Sequence, residues 1–174
     1  CYQKCMKVFD QNSNQLGIAI TLNNIGNIYF SLNEYPKALD YYHRSLKIKE
    51  QIGNHLGIAN SLNDIGNIYS IQKEYSKALL YFQKSFKIGE QIGNLQGIAR
   101  SLENIGIIYE YKGNNSKALE YYNKSLKFEE QIGNQLGIAA SLINIGGLHY
   151  SQKEYFEAST LTKKGLILAQ IIGD

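Results

Sequence analysis

The sequence predicts an all-α protein, a stack of antiparallel helix hairpins in which one hairpin recurs every forty residues. The segments 17–56 and 57–96 share more than half of their residues, and the motif Gly-Ile-Ala returns at the same interval along the chain. Within a unit, residues such as Leu62, Ile65 and Tyr69 fall at the spacing that places side chains on one face of a helix. Together the repeat and this periodicity indicate paired helices that bury a shared core.

The second unit defines where its helices begin and end. Its first helix is predicted from about Asn54 to Ile71, and its second helix from about Tyr75 to Ile92. A glycine follows each second helix, where a left-handed cap residue belongs, and the asparagine after it suits the N-cap of the next helix. These glycine–asparagine pairs are Gly53-Asn54, Gly93-Asn94 and Gly133-Asn134.

The repeat also divides the chain, which we predict to be one array over residues 1–174. The predicted parts are a half repeat with only a second helix (1–13) and four repeats (14–53, 54–93, 94–133 and 134–174). The array is expected to be part of a longer one, with ends that no polar helix covers. Ile167, Ile171 and Ile172 are then expected to be exposed, and end-to-end self-association is expected at high concentration.

A glycine recurs inside every first helix, although it costs about 1 kcal/mol relative to alanine there. Its recurrence indicates the close approach of another helix, and an alanine in each second helix is predicted to face it through small-on-small contacts. The glycines are Gly26, Gly66, Gly106 and Gly146, and the alanines are Ala38, Ala78, Ala118 and Ala158.

The composition argues against several classes of protein. Charged residues make up 19% of the 174 residues and the net charge is +3, a positive balance too weak to indicate a nucleic-acid partner. No apolar run approaches the roughly 20 residues of a membrane helix, so we expect no membrane association and a cytoplasmic location. Cys1 and Cys5 are expected to be ordinary reduced cysteines, and neither a metal site nor a cofactor is predicted.

The second helices carry a stripe of basic residues that acidic residues interrupt. Because charges of both signs are interleaved, the stripe predicts a solvated outer face and not a nucleic-acid site. Its members are Lys37, Arg44, Lys47, Lys77, Lys84, Lys87, Lys117, Lys124 and Lys127, and the interrupting acids are Glu50, Glu90 and Glu130.

The units resemble the tetratricopeptide repeat, whose pattern has a large apolar residue, an apolar–glycine pair and a tyrosine in the first helix, then an alanine and an aromatic residue in the second. The fourth unit departs from the pattern with His149 and Thr162 in the aromatic positions. The forty-residue period is similar to that of Pins-type scaffolds, kinesin light chains and bacterial regulators. The resemblance implies a right-handed superhelical α-solenoid that binds peptides or partner domains and is not itself catalytic. In the first unit the matching residues are Leu22, Ile25, Gly26, Tyr29, Ala38 and Tyr42.

The resemblance also implies that the first helices line a concave groove. The stripe next to the core positions must face this groove, and it changes from amide-rich, through charged, to apolar and aromatic. An asparagine amide donates and accepts at once, so a row of them could pair with the backbone of a bound peptide. A single asparagine could equally be an ordinary polar residue. The candidates are Asn23, Asn27, Asn60, Asn63, Asn67, Arg100, Glu103, Asn104, Ile107, Tyr111, Ile143, Asn144 and Tyr150.

Three functions remain open. The first is a scaffold that binds a protein or an extended peptide, the second is a regulatory or sensor segment of a larger signalling protein, and the third is an architectural array that assembles with itself. Capture of a C-terminal carboxylate, known in the family, is disfavoured. Asn27 and Asn67 match that motif, but its cations are missing and Glu103 stands in place of one. No catalytic constellation has plausible spacing, so no enzyme is predicted.

Overall fold

The computed structural model confirms the all-α architecture of helix hairpins. It describes the backbone of residues 2–173 and the side chains of residues 14–171, and the regular structure within these limits is helical. The helices in chain order are α1 (Tyr2–Ser31), α2 (Tyr35–Gln51), α3 (His55–Ile71), α4 (Tyr75–Ile92), α5 (Leu95–Tyr111), α6 (Asn115–Ile132), α7 (Gln135–Ser151) and α8 (Tyr155–Gly173).

The helices fall into two compact units, residues 1–88 and residues 89–174. In the first unit α1 packs on α2 and α2 on α3, and in the second unit α5 packs on α6, α6 on α7 and α7 on α8. In the second unit α7 therefore lies between the second helices α6 and α8. The core of the first unit contains Ala38, Tyr42, Leu46, Ile58, Leu62, Ile65 and Ile68, and that of the second contains Ala118, Tyr122, Ile145 and Leu148.

The predicted helix ends are confirmed in their main features. Gly53, Gly93 and Gly133 have φ of +69°, +67° and +69°, the left-handed conformation that glycine adopts without steric cost. Asn54 then caps α3, because its Oδ1 accepts a hydrogen bond from the Gly57 amide at 2.9 Å. Asn94 caps α5 in the same manner.

Helix α1 differs from the predicted boundary, since it continues from Tyr2 to Ser31 without a turn at residues 13 and 14. Where the later units have a glycine, this segment has Ser13, and a residue with a Cβ adopts the left-handed cap conformation less readily. The assignment of residues 1–13 to a preceding half repeat stays a prediction. The side chains of Cys1, Cys5 and Ile172 lie outside the described residues.

The mid-helix glycines do mark close approach, but a Cβ there would meet an aromatic ring before the predicted alanine, whose carbonyl would lie 3.4 Å away at Gly26. A Cβ on Gly26 would lie 2.6 Å from the ring of Tyr42, and one on Gly66 would lie 2.5 Å from the ring of Phe82. The alanine of each second helix is buried beside this contact. Each glycine of the first three units therefore makes room for an aromatic ring of the second helix, and the packing of the hairpin depends on that ring.

Candidate functional site

Asn23 of α1 lies in a polar cluster where α1, α2 and α3 meet. Its Oδ1 accepts hydrogen bonds from Lys49 Nζ at 3.0 Å and from Ser61 Oγ at 3.1 Å. Its Nδ2 donates to Asp64 Oδ2 at 3.3 Å. Lys49 is only 5% exposed, and burial lowers the pKa of its ammonium group while the charge of Asp64 opposes that shift. Asn23 is thus occupied by neighbouring side chains and stabilises a buried cation.

Asn63 is 1% exposed and lies between α3 and α4. Its Nδ2 donates to Ser85 Oγ at 2.6 Å, and that hydroxyl donates in turn to the carbonyl of Ala59 at 2.9 Å. A partner on the surface cannot reach this amide in the present packing. The expectation that Asn63 lines the groove is therefore corrected, because the side chain is part of the contact between two helices.

Asn27 and Asn67 occupy the same place in successive units but differ in their contacts. The Tyr42 hydroxyl donates to Asn27 Oδ1 at 2.7 Å. In the next unit Phe82 stands where Tyr42 stood, and it has no hydroxyl to donate. The half-buried Asn67 makes no hydrogen bond to any residue that the structure describes. Its amide can pair with an incoming group without breaking an internal bond.

In the second unit Glu103 and Asn144 are paired, since Asn144 Nδ2 donates to Glu103 Oε1 at 3.0 Å. Burial raises the pKa of Glu103, the bond from Asn144 opposes this shift, and the charge of Glu129 adds to it. The Tyr122 hydroxyl donates a hydrogen bond to Glu110 Oε2 at 2.6 Å. Burial is the main cause that raises the pKa of Tyr122, and this hydrogen bond is the second. The polar side chains of Glu103, Asn144 and Tyr122 are therefore hydrogen-bonded within the protein. The candidate Ile107 packs against the core of the second unit.

The remaining candidates are distributed between surface and interior. Tyr111 and Tyr150 are 63% and 67% exposed, and Ile143 is 37% exposed. Arg100 is exposed as well. Asn60 and Asn104 are half-buried and already interact with other groups of the protein. Among the candidate residues that the structure describes, Asn67 is thus the unpaired amide, and Tyr111, Ile143 and Tyr150 are exposed side chains of the second unit.

The basic stripe has a structural function that the sequence reasoning missed. Tyr29 and Tyr41 stack with ring centroids 5.4 Å apart, while Lys37 lies 5.1 Å from the first ring and Arg44 lies 5.2 Å from the second. Such contacts contribute about 0.5–1 kcal/mol at exposed sites. The signal was the recurrence of tyrosine at fixed distances from these cations. The same arrangement repeats at Tyr69 and Tyr81 and at Tyr109 and Tyr121.

Two further observations concern the residues that the structure describes. Among them, no three His, Cys, Asp or Glu side chains come together as metal ligands. None of the helices searched in this part of the chain combines the length and the apolar character needed to cross a membrane.

Comparisons with known proteins agree with this architecture. A family model for the tetratricopeptide repeat matches residues 1–51, 17–91 and 97–170. Aspartyl phosphate phosphatase F from Bacillus subtilis aligns with a TM-score of 0.86 at 19% identity, over 92% of this chain and 42% of that one. The apo form of RapI aligns with a TM-score of 0.80 at 22% identity, over 90% and 44%.

A third similar structure is BtubC (BKLC) from P. vanneervenii, with a TM-score of 0.78 at 15% identity, over 89% of this chain and 64% of that one. The chain therefore spans less than two thirds of each of these proteins. At such identities the likeness shows the fold alone. No curated protein matches the sequence.

Proposed function

Because the chain belongs to the tetratricopeptide repeat family, we propose that it is a non-catalytic scaffold module that binds a protein or an extended peptide. The partner contacts the faces of the first helices. The observation that carries this proposal is the unpaired amide of Asn67, since the other asparagines of the predicted row have bonding partners inside the protein. An amide of this kind recognises a peptide backbone whatever its side chains.

The first helices of the second unit add apolar contact area. Tyr111 and Tyr150 keep most of their surface exposed, and Ile143 lies on α7 with Tyr150. Large aromatic side chains supply much of the binding energy of protein interfaces when a partner covers them. We therefore assign backbone recognition in the first unit to Asn67 and, separately, apolar contact with a partner in the second unit to these three residues.

Replacement of Asn67 by alanine is expected to weaken the binding of a selected peptide about tenfold. A hydrogen bond contributes about 0.5–1.5 kcal/mol, and about 1.4 kcal/mol corresponds to a factor of ten. The peptide is first selected from a library on the immobilised 174-residue chain, and its Kd is then measured by calorimetry. Asn123, on the opposite helix of a hairpin, provides the control, and Asn123→Ala should bind as the wild type does.

The variant Phe82→Tyr tests the same proposal without removing the amide. Its new hydroxyl should engage Asn67 as Tyr42 engages Asn27, so that peptide binding weakens while the fold is retained. Unchanged affinity in both Asn67→Ala and Phe82→Tyr would contradict the role of Asn67.

Self-assembly is an alternative that a specific observation favours. Leu166, Ile167 and Ile171 on α8 are 50%, 55% and 68% exposed, and Ile18 on α1 is 47% exposed. The residues of the first unit that correspond to Leu166 and Ile18 are Leu46 and Ile58, and both are buried in one core. The exposed faces of α8 and α1 thus correspond to the faces of α2 and α3 that pack on each other. A head-to-tail contact between α8 of one copy and α1 of the next would cover both faces.

Self-assembly predicts an average mass that rises with concentration in analytical ultracentrifugation. Leu166→Lys should keep the protein monomeric, because a lysine would have to be buried in the contact. Phe156→Lys is the matched control, since Phe156 is 80% exposed and its repeat position is also exposed at Pro36 and Ser76, where neighbouring helices are present. A constant monomer mass at millimolar concentration would exclude this alternative.

A regulatory or sensor segment is the remaining alternative. Aspartyl phosphate phosphatase F and RapI favour it, because the aligned region covers less than half of each of their chains. It predicts a signalling domain encoded in the same gene outside residues 1–174. The reading frame of the gene tests this, and a frame without such a domain would contradict it.

A further inference from the structure

Two carboxyl groups, Glu103 and Glu129, lie where α5 and α6 meet α7. Glu129 is 5% exposed, and Glu103 is half-buried. An amide holds each of them, since Asn144 Nδ2 donates to Glu103 at 3.0 Å and Asn134 Nδ2 donates to Glu129 Oε2 at 2.7 Å. The interface therefore contains two acids, and each of the two binds a residue on or next to α7.

Glu129 also changes how α7 begins. A Cβ on Gly137 would overlap the carboxyl group of Glu129, so this group lies against the first turn of α7. Asn134 occupies the N-cap position but makes no side-chain cap bond, because its amide donates to Glu129. The expected asparagine cap is thus replaced at α7. The dipole of α7 favours the charged form of Glu129, but burial opposes that charge and prevails, because the pKa of Glu129 is raised. The protonation state of Glu129 is therefore tied to the position of α7.

The equivalent interface of the first unit contains a cation, Lys49, together with an acid, Asp64. Asn23 and Lys49 stand there in place of Glu103 and Glu129, eighty residues earlier in the repeat. The ammonium group of Lys49 has Asn23 and Ser61 as acceptors. The acid pair is therefore a property of the second unit and not of the repeat in general.

Other charged groups around the pair come from all three helices. On α5, Arg100 is exposed one turn before Glu103, and Glu110 binds the hydroxyl of Tyr122. On α6, Tyr122 is the buried titratable neighbour of Glu103, and the lysines of this helix are exposed. Helix α7 has no Lys, Arg, Asp or Glu, and its His149 pairs with Glu154. Helix α7 therefore brings no cation to the two carboxyl groups.

We propose that Glu103 and Glu129 form a proton-controlled contact that holds the α7–α8 hairpin on α5 and α6. Two anions buried at one interface repel each other, whereas a protonated carboxyl group is neutral and can donate a hydrogen bond. Protonation therefore tightens the contact, and ionisation of both groups loosens it.

The direction of the pH dependence follows from the displaced pKa values. Burial raises the pKa of both carboxyl groups above the ordinary value of 4.5, and the charge of Glu129 raises that of Glu103 further. The folded protein thus holds these protons more tightly than the unfolded chain. The stabilisation is fully present below pH 4.5 and is lost as the pH rises through the folded pKa values.

This contact would regulate binding, a consequence that rests on the proposed function. Helix α7 carries Ile143, Asn144 and Tyr150. Movement of the hairpin would displace these side chains, so the affinity for a partner on the second unit would depend on pH.

Hydrogen exchange of the complete 174-residue chain tests the proposal without any partner. Protection factors of the α7 amides, corrected for intrinsic exchange, are compared between about pH 5 and about pH 8. We expect wild-type protection in α7 to fall several-fold across this range, because a carboxyl group that binds its proton more tightly in the packed state stabilises that state by the same factor. Glu103→Gln and Glu129→Gln should each reduce the fall, with higher protection at the upper pH.

Glu130→Gln is the matched control, because Glu130 is the exposed neighbour of Glu129 on the same helix. It should retain the wild-type pH dependence, and so should the amides of α3. A wild-type pH dependence in Glu103→Gln would overturn the proposal, even if Glu129→Gln fails to fold. An equal flattening in Glu130→Gln would also overturn it. Because no partner is present, failure here leaves the peptide-binding experiment unaffected.

Discussion

Replacement of Asn23 by alanine is expected to lower the free energy of unfolding by about 3 kcal/mol, because it removes an acceptor from a buried cation. Lys49 is 5% exposed and donates to Asn23 and to Ser61. Without Asn23, the ammonium group keeps one of its two described acceptors, and Asp64 loses a donor. Urea unfolding followed by circular dichroism measures the loss.

A second variant separates this explanation from a general effect of the substitution. In the Lys49→Met background the buried charge is gone, so Asn23→Ala should cost much less than in the wild type. Asn24→Ala removes an exposed amide from the adjacent position of α1 and should change stability by less than about 0.5 kcal/mol. If Asn23→Ala were as mild as Asn24→Ala, Asn23 would be a surface residue available to a partner.

Replacement of Gly66 by alanine is expected to destabilise the protein by about 1–3 kcal/mol, although alanine is the better helix former. The new Cβ would lie 2.5 Å from the ring of Phe82, which is 1% exposed and has little room to move. The thermal unfolding midpoint at a fixed pH measures the effect. The clash with the ring is the physical cause, so the cost should shrink in a Phe82→Leu background.

Gly147 provides the matched control for this prediction. It also lies inside a first helix, but no atom lies within 4 Å of the position of its Cβ. Gly147→Ala should therefore stabilise the protein by up to about 1 kcal/mol. Destabilisation by Gly147→Ala, or stabilisation by Gly66→Ala, would show that the aromatic contact does not control the tolerance of these positions.

Much of the fold follows from the sequence because it depends on local signals. The forty-residue period and the helical spacing predicted the hairpins, and the bounds of α3 and α4 agree with the prediction to within one residue. Gly53 and its equivalents identified the left-handed caps, since few other residues adopt that conformation at low cost. Near residue 13, where serine replaces this glycine, the predicted boundary falls inside the continuous helix α1.

The candidate site was less predictable, because helical spacing gives the direction of a side chain but not what lies opposite it. Asn63 and Asn67 are one turn apart on α3, yet Asn63 is buried against Ser85 of α4 and Asn67 is half-exposed without a partner. The difference arises from residues of α4 that are distant in the sequence. Asparagines that look alike in the sequence therefore differ in the folded protein: Asn63 bonds another helix, whereas the amide of Asn67 is available to a partner.

The sequence by itself determined the repeat, the helices and their caps, because neighbouring residues along the chain suffice to set them. Only the tertiary structure decided which polar groups are already paired. Lys49 and Glu129 hold the same position of the repeat with opposite charge, and their partners differ. Lys49 donates to Asn23 of α1 and Ser61 of α3, whereas Glu129 accepts from Asn134 at the start of α7. Those partners meet only after the helices have packed, so the availability of a side chain to a partner is a property of the folded protein.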